Sequence, residues 1–223
     1  MPARKNGSQL RVRQAPRFPP RTSTFHSYEG VADFQPRCTT PLVMNAVDRL
    51  AVRLREATAA DSLAVAEVNL RSLQASFPRR RLEPDELSLD RRAAMFRRRF
   101  DAAFYRMVVA EAPGRGVLGF ADVGLARDAR WHCDAELFAI YVLKSHQRQG
   151  LGQRLFDRVC EAVLAAGHES MYLIALHDNP YRDFYEQLGG RQLAHVPRGA
   201  VQGQDAHVIY AWRDLGARRS GSP

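Results

Sequence analysis

The sequence predicts an α/β domain built on a mixed, mostly antiparallel sheet of six or seven strands flanked by helices, and three stretches carry that prediction. Residues 136 to 143 form an apolar run with aromatic and β-branched members, bounded by polar residues and too short for an ordinary helix, which reads as a buried strand. From about Gln149 the apolar residues recur at Leu151, Leu155, Val159 and Val163, a spacing that lays one stripe along one helix face. Ser170 to Leu176 then reads as a second buried strand.

The other elements follow in order. Ala51 to Ala57 alternates apolar and charged residues, as a half-exposed first strand does. Asp61 is placed to cap a helix in which Leu63, Ala66 and Leu70 keep helical spacing, and which ends near Phe77-Pro78 because the residue before a proline avoids helical geometry. Arg79 to Arg81 and Pro84 to Glu86 make a polar connection into a second helix, Ser88 to Phe100. Its arginines at 91, 92, 97, 98 and 99 fit a solvated face better than a nucleic-acid surface, since Ala93, Phe96 and Phe100 still offer a side to bury. Tyr105 to Glu111 and Val117 to Leu125 form a hairpin across Pro113-Gly114-Arg115-Gly116. Asn179, Pro180 and Gly189 punctuate a short helix as N-cap, first helical residue and terminator. Gln192 to Val196 and Ala206 to Trp212 close the sheet.

Composition narrows the function classes. Of 223 residues, 45% are apolar and 26% charged, as in ordinary globular proteins, and no apolar run is long enough to cross a bilayer. Cys38, Cys133 and Cys160 are odd in number and lack Cys-x-x-Cys spacing, so neither a disulfide framework nor a zinc site is expected; a reducing, cytoplasmic location is. The net charge of +9 is concentrated in part before residue 44, where Arg4, Lys5, Arg11, Arg13, Arg17, Arg21 and Arg37 face only Glu29 and Asp33. That segment carries prolines and no apolar period. Residues 1 to 49 are therefore expected to be a disordered basic extension, 50 to 215 the folded domain and 216 to 223 a flexible tail. A nucleic-acid arm and a targeting peptide are the competing readings of the extension, and Met44 is an alternative start.

The chemistry concentrates at Gln147-Arg148-Gln149-Gly150-Leu151-Gly152, where strand passes to helix. Glycines permit close approach to the backbone, amides at a helix start lack intrahelical partners, and the helix dipole and Arg148 both favour an anion. In isolation the six residues are equally compatible with a plain tight turn. Together with Asn179-Pro180-(x)3-Phe184-Tyr185-Glu186-x-Leu188-Gly189, they resemble the GNAT superfamily of acyl-CoA-dependent N-acyltransferases, and the element order over about 50 to 215 resembles its fold.

That resemblance implies splayed central parallel strands with the donor's pantetheine arm in the gap, and acetyl-CoA as acyl-donor cosubstrate. It implies a pyrophosphate held at Gln147, Arg148, Gln149, Gly150, Leu151 and Gly152, an acyl carbonyl met by an N–H near Val142, and a pantetheine contact at Asn179, which is equally a simple N-cap. A preorganised donor of this kind contributes about 3 kcal/mol to a transition state. Tyr185 matches the tyrosine that protonates the leaving thiolate, against a packing-stripe reading with Tyr181, Phe184 and Leu188. A phenol of pKa about 10 passes its proton uphill to a thiol of about 8.5, by about 2 kcal/mol, so a hydrogen bond to the thiolate is its larger contribution. Glu136 is the candidate base, ahead of His132, His146 and His177. The acceptor is a primary amine of a small molecule or peptide N-terminus, attacking directly in a ternary complex. Arg79, Arg80, Arg81 and Arg198 would make its surroundings cationic, favouring an acceptor with a carboxylate or phosphate. A non-catalytic acyl-CoA-binding module and a basic nucleic-acid adaptor are the alternatives. No membrane partner is expected, nucleic acid is disfavoured, and the chain is expected as monomer or homodimer.

Overall fold

The computed structural model describes residues 52–199 and 205–217. The expected basic extension, the Met44 start, Ala51, residues 200–204 of the connection between the last two strands and the end of the C-terminal tail lie outside the described residues.

Among the described residues seven strands form one sheet: β1 (Arg53–Glu56), β2 (Tyr105–Ala112), β3 (Gly116–Leu125), β4 (Ala135–Val142), β5 (Met171–Leu176), β6 (Arg191–Val196) and β7 (His207–Trp212), ordered β1-β2-β3-β4-β5-β7-β6. Every neighbouring pair is antiparallel except β4 and β5, which run parallel. The helices are α1 (Ser62–Ser76), α2 (Pro84–Leu87), α3 (Leu89–Arg99), α4 (Leu151–Ala165) and α5 (Arg182–Gln187). Among the described residues no helix is long and apolar enough to cross a membrane.

Alternation along β3 assigns the faces. Phe120 meets the ring of Phe96 on α3 edge-on with centroids 5.4 Å apart, whereas a Cβ built at the adjacent Gly119 would stand 3.3 Å from Leu155 of α4. Neighbouring strand residues point to opposite faces, so α3 and α4 cover opposite faces of the sheet. Helix α1 packs on α3 and on β3 and β4. The α4 stripe of Leu151, Leu155, Val159 and Val163 is wholly buried.

Four local features differ from expectation. The polar connection at 84–87 is a helical turn with Pro84 at its start and Glu86 folded back on the Glu83 amide at 2.9 Å. Asp61 makes no side-chain cap on α1; it accepts from the Thr58 amide at 2.8 Å and is gripped by Arg55. Helix α5 begins at Arg182 rather than beside Asn179, whose Oδ1 takes the Tyr181 amide at 2.9 Å. Asn179 thus closes the turn before the helix, and Tyr181 is the cap residue. Finally, β3 and β4 slip register between Asp122 and Val123, leaving Phe138 without a paired residue, a β-bulge that bends β4.

Candidate active site

Parallel pairing of β4 with β5 consists of Ala135 opposite Met171 and Glu136 opposite Tyr172. Beyond Glu136 the two strands part, just where the bulge at Phe138 turns β4 aside. The gap is a cavity of about 420 Å³, lined on β4 by residues 137–142 and on β5 by residues 173–176. Ser72, Ser76 and Phe77 close it on the α1 side, and Gly150, Gly152, Phe184 and Tyr185 at the start of α4 and on α5. The lining therefore draws on both faces of the sheet.

At the α4 end the backbone is arranged for an anion. Arg148 and Gly150 both have positive φ, 59° and 76°. For arginine such a conformation costs about 1–2 kcal/mol, and strain of this kind gathers at functional sites. The first bond of α4 runs from the Arg154 amide to Gly150 O at 3.1 Å, so the amides of Leu151, Gly152 and Gln153 precede the helical ladder. A Cβ at Gly150 would meet nothing within 4 Å, so the space over this turn is open. Gly152 serves packing instead, since a Cβ there would stand 3.0 Å from the Phe184 ring, and its absence lets α5 dock against the start of α4. The two sequence motifs are thus in contact.

At the strand end, Leu143 N–H donates to Leu118 O at 2.9 Å. Because backbone groups alternate in direction along a strand, the N–H and C=O of Val142 point the other way, to the β5 side. Val142 O there accepts the Gln147 side-chain amide at 2.9 Å, which ties the loop to the strand. Tyr185 is buried between the rings of Phe184 and Tyr210, at 5.8 and 5.7 Å, and its hydroxyl accepts from Asn179 Nδ2 at 3.5 Å. Burial, reinforced by the nearby Tyr141 phenol, pushes the Tyr185 hydroxyl well above the usual tyrosine range.

Residues 117–198 match the FR47-like protein family. Phosphinothricin N-acetyltransferase from Streptomyces viridochromogenes is 30% identical over 175 residues, covering 76% of this chain and 87% of that protein. The chain belongs to the GNAT N-acetyltransferases. The uncharacterized N-acetyltransferase YuaI of Bacillus subtilis is 32% identical over 112 residues, 50% of this chain; the match spans 65% of that relative's length. Among solved structures, a GNAT-family acetyltransferase from Staphylococcus aureus Mu50 aligns with a TM-score of 0.57 at 16% identity, over 74% of this chain and 99% of that one. The PaiA N-acetyltransferase of Thermoplasma acidophilum, in complex with coenzyme A, aligns with a TM-score of 0.55 at 16% identity, over 72% and 99%.

In this GNAT chain, the expected site residues Val142, Gln147, Arg148, Gly150, Gly152, Asn179 and Tyr185 all line the one cavity. Leu151 is buried in the core and does not line the cavity, and Gln149 is turned to Ser145 O at 3.3 Å. Glu136 does not line the cavity. It lies at the closed apex of the gap, 2% exposed, accepting from Arg127 Nε at 2.9 Å and Nη2 at 2.5 Å and from Tyr172 OH at 2.6 Å. Both oxygens are occupied, and through Tyr172 the carboxylate links β4 to β5. His146 sits buried in the turn after β4, His132 lies before that strand, and the His177 and His195 rings meet at 4.7 Å; none of them lines the cavity.

Sequence reasoning missed the surroundings of Phe138. Over the ring of this cavity residue lie the guanidinium groups of Arg99 and Arg127, 4.9 and 4.6 Å from its centre. Arg99 is anchored on Asp122, a wholly buried carboxylate of β3 that Tyr105 OH also reaches at 2.9 Å. Desolvation raises the Asp122 carboxyl above the ordinary range, opposed by the Arg99 charge. An acidic residue within the apolar run of β3 was the available signal.

Proposed function

We propose that the chain transfers an acetyl group from acetyl-CoA to a primary amine of a small molecule, by direct attack within a ternary complex. The observation that carries this reading is the gap between β4 and β5, with open helix-start amides at one end and a buried tyrosine hydroxyl beside it. Acetyl-CoA, when bound, supplies an activated thioester. The residues present suit it: the amides of residues 151–153 and the Arg148 guanidinium are a receptor for its diphosphate, and the open space over Gly150 admits it. The unladdered edges of β4 and β5 offer main-chain partners to its amide-bearing arm, and Asn179 stands beside that path.

Within the gap, Val142 N–H donates to the acyl oxygen as negative charge develops there, an interaction worth about 3 kcal/mol. Tyr185, kept protonated by burial, donates a hydrogen bond to the departing sulfur. Among the described residues no carboxylate lines the cavity. The proton of the attacking amine therefore leaves through hydroxyls and solvent, and Glu136 holds the strands.

The testing experiment is calorimetry with acetyl-CoA, followed by a panel of amines assayed for free thiol. Saturable micromolar binding and amine-dependent thiol release are expected. A purified chain that ignores acetyl-CoA at millimolar concentration refutes the reading.

A further inference from the structure

Helix α1 forms the wall of the cavity opposite the α4 amides, and its polar groups are unevenly used. Ser76 donates to Ser72 O at 2.7 Å, the ordinary behaviour of a helical serine, and Ser62 likewise bonds Ala59 O at 2.7 Å. Ser72 does not. It is 2% exposed, it lines the cavity, and its Oγ has no hydrogen-bond partner among the described residues. A buried hydroxyl is normally satisfied, and where a ligand cavity adjoins an orphaned one, the ligand is the natural partner.

The charges around this wall say what kind of ligand. Among the described residues the cavity lining holds one charged side chain, Arg148, and no Asp or Glu. One turn before Ser72, Asn69 accepts Arg92 Nη1 at 2.5 Å, and burial lowers the Arg92 guanidinium, which an anion nearby would relieve. Arg92 and Arg80 both act electrostatically on Tyr141, a cavity residue on the same face. The acids facing these groups are committed: Glu86 pairs with Arg80 at 3.3 Å, and Asp122, which also acts on Tyr141, pairs with Arg99. A polycationic acceptor finds no carboxylate here. An amine that carries its own carboxylate finds a hydroxyl donor in a net positive field.

We propose that the acceptor is a small amine bearing a carboxylate, of the free amino-acid class, and that Ser72 is the specificity-determining residue whose hydroxyl donates to that carboxylate at the α1 wall. The inference rests on the acetyl-transfer reading and narrows its acceptor.

Calorimetry with acetyl-CoA comes first, since failure to bind refutes acetyl transfer and this inference with it. Thiol release is then followed with glycine, L-alanine, L-methionine and L-glutamate, each beside its α-amide, and with spermidine. The expected result is that at least one free amino acid exceeds its amide by about tenfold in kcat/KM and outruns spermidine. Ser72→Ala then raises KM for that amino acid roughly tenfold while kcat, acetyl-CoA affinity and Tm hold, as expected for loss of one hydrogen bond to a charged group. With acetyl-CoA binding intact, the inference is overturned if the amides or spermidine are preferred, if no free amino acid is turned over, or if Ser72→Ala leaves KM within twofold.

Discussion

Replacing Glu136 by glutamine tests whether that residue holds the sheet or performs chemistry. The carboxylate is 2% exposed and receives two bonds from the Arg127 guanidinium, a longer one from the Arg127 amide and one from Tyr172. Glutamine keeps the shape and an acceptor for Tyr172, but it neutralises the ion pair and sets an amide N–H₂ against a guanidinium donor. Hydrogen bonds to charged groups contribute about 1.5–3 kcal/mol each. Arg127 is 65% exposed and recovers part of its loss from water, so the lower end applies and the net cost is about 2–3 kcal/mol. At about 2–4 °C per kcal/mol for a domain of this size, Tm falls by about 4–12 °C. Differential scanning calorimetry reads that shift, and thiol release at 20 °C reads kcat on the folded protein, which should stay within about fivefold of wild type. A variant with unchanged Tm and a kcat reduced a hundredfold would refute the argument and restore Glu136 as the base.

The remaining predictions concern the cavity and its supports. Tyr185→Phe should lower kcat about tenfold or more with little change in Tm or acetyl-CoA affinity, because among the described residues its hydroxyl makes one long bond, to Asn179 at 3.5 Å; stopped thiol assays decide this. Burial holds Tyr185 protonated above the usual range, so the rate should rise with pH as the acceptor amine loses its proton, with no decline below about pH 10 from the phenol. Gly190→Ala places a Cβ 2.7 Å from the Trp212 ring and 2.8 Å from Tyr185 O, an overpacking of about 1–3 kcal/mol that denaturant titration would register. Asp61 is drawn below the ordinary carboxylate value of 3.8 to about 2, chiefly by the Arg55 hydrogen bonds, so its contribution is present above about pH 4 and lost as pH falls through about 2. Asp61→Asn should therefore destabilise by about 2 kcal/mol at pH 7 and by progressively less toward pH 2, measured by urea titration across that range.

Local pattern carried the elements whose neighbours lie close in sequence. The stripe from Leu151 to Val163 fixes α4 because each member has its helical neighbour four residues away, and the Pro113 to Gly116 turn fixes the β2–β3 hairpin. What escaped depended on distant pairing. Insertion of β7 between β5 and β6 is set by partners more than thirty residues apart, such as Leu173 with Tyr210. The bulge at Phe138 is a property of two strands jointly and leaves no mark in β4 alone. At the candidate site, the strand-to-helix turn of residues 147–152 was legible because turn chemistry is local, whereas helix punctuation put the cap at Asn179 instead of Tyr181, and Asn179 and Tyr185 were singled out by the family resemblance. The link through Glu136 was not legible, because its partners Arg127 and Tyr172 lie on either side of it in the chain and only the fold unites them. Ser72 gave no sign at all: a serine in a helix is unremarkable until the cavity beside it is known.

The short parallel pairing of β4 with β5 has a mechanical consequence. Among the described residues, Ala135–Met171 and Glu136–Tyr172 are the sole rungs joining a four-strand leaf, β1 to β4, to a three-strand leaf, β5 to β7. The sheet is thus two panels meeting at a single pivot, and whatever molecule occupies the wedge becomes the mortar between them. Occupancy should therefore slow amide exchange in β5 and β7 more than in the hairpin of β2 and β3, whose ladder is complete without a guest.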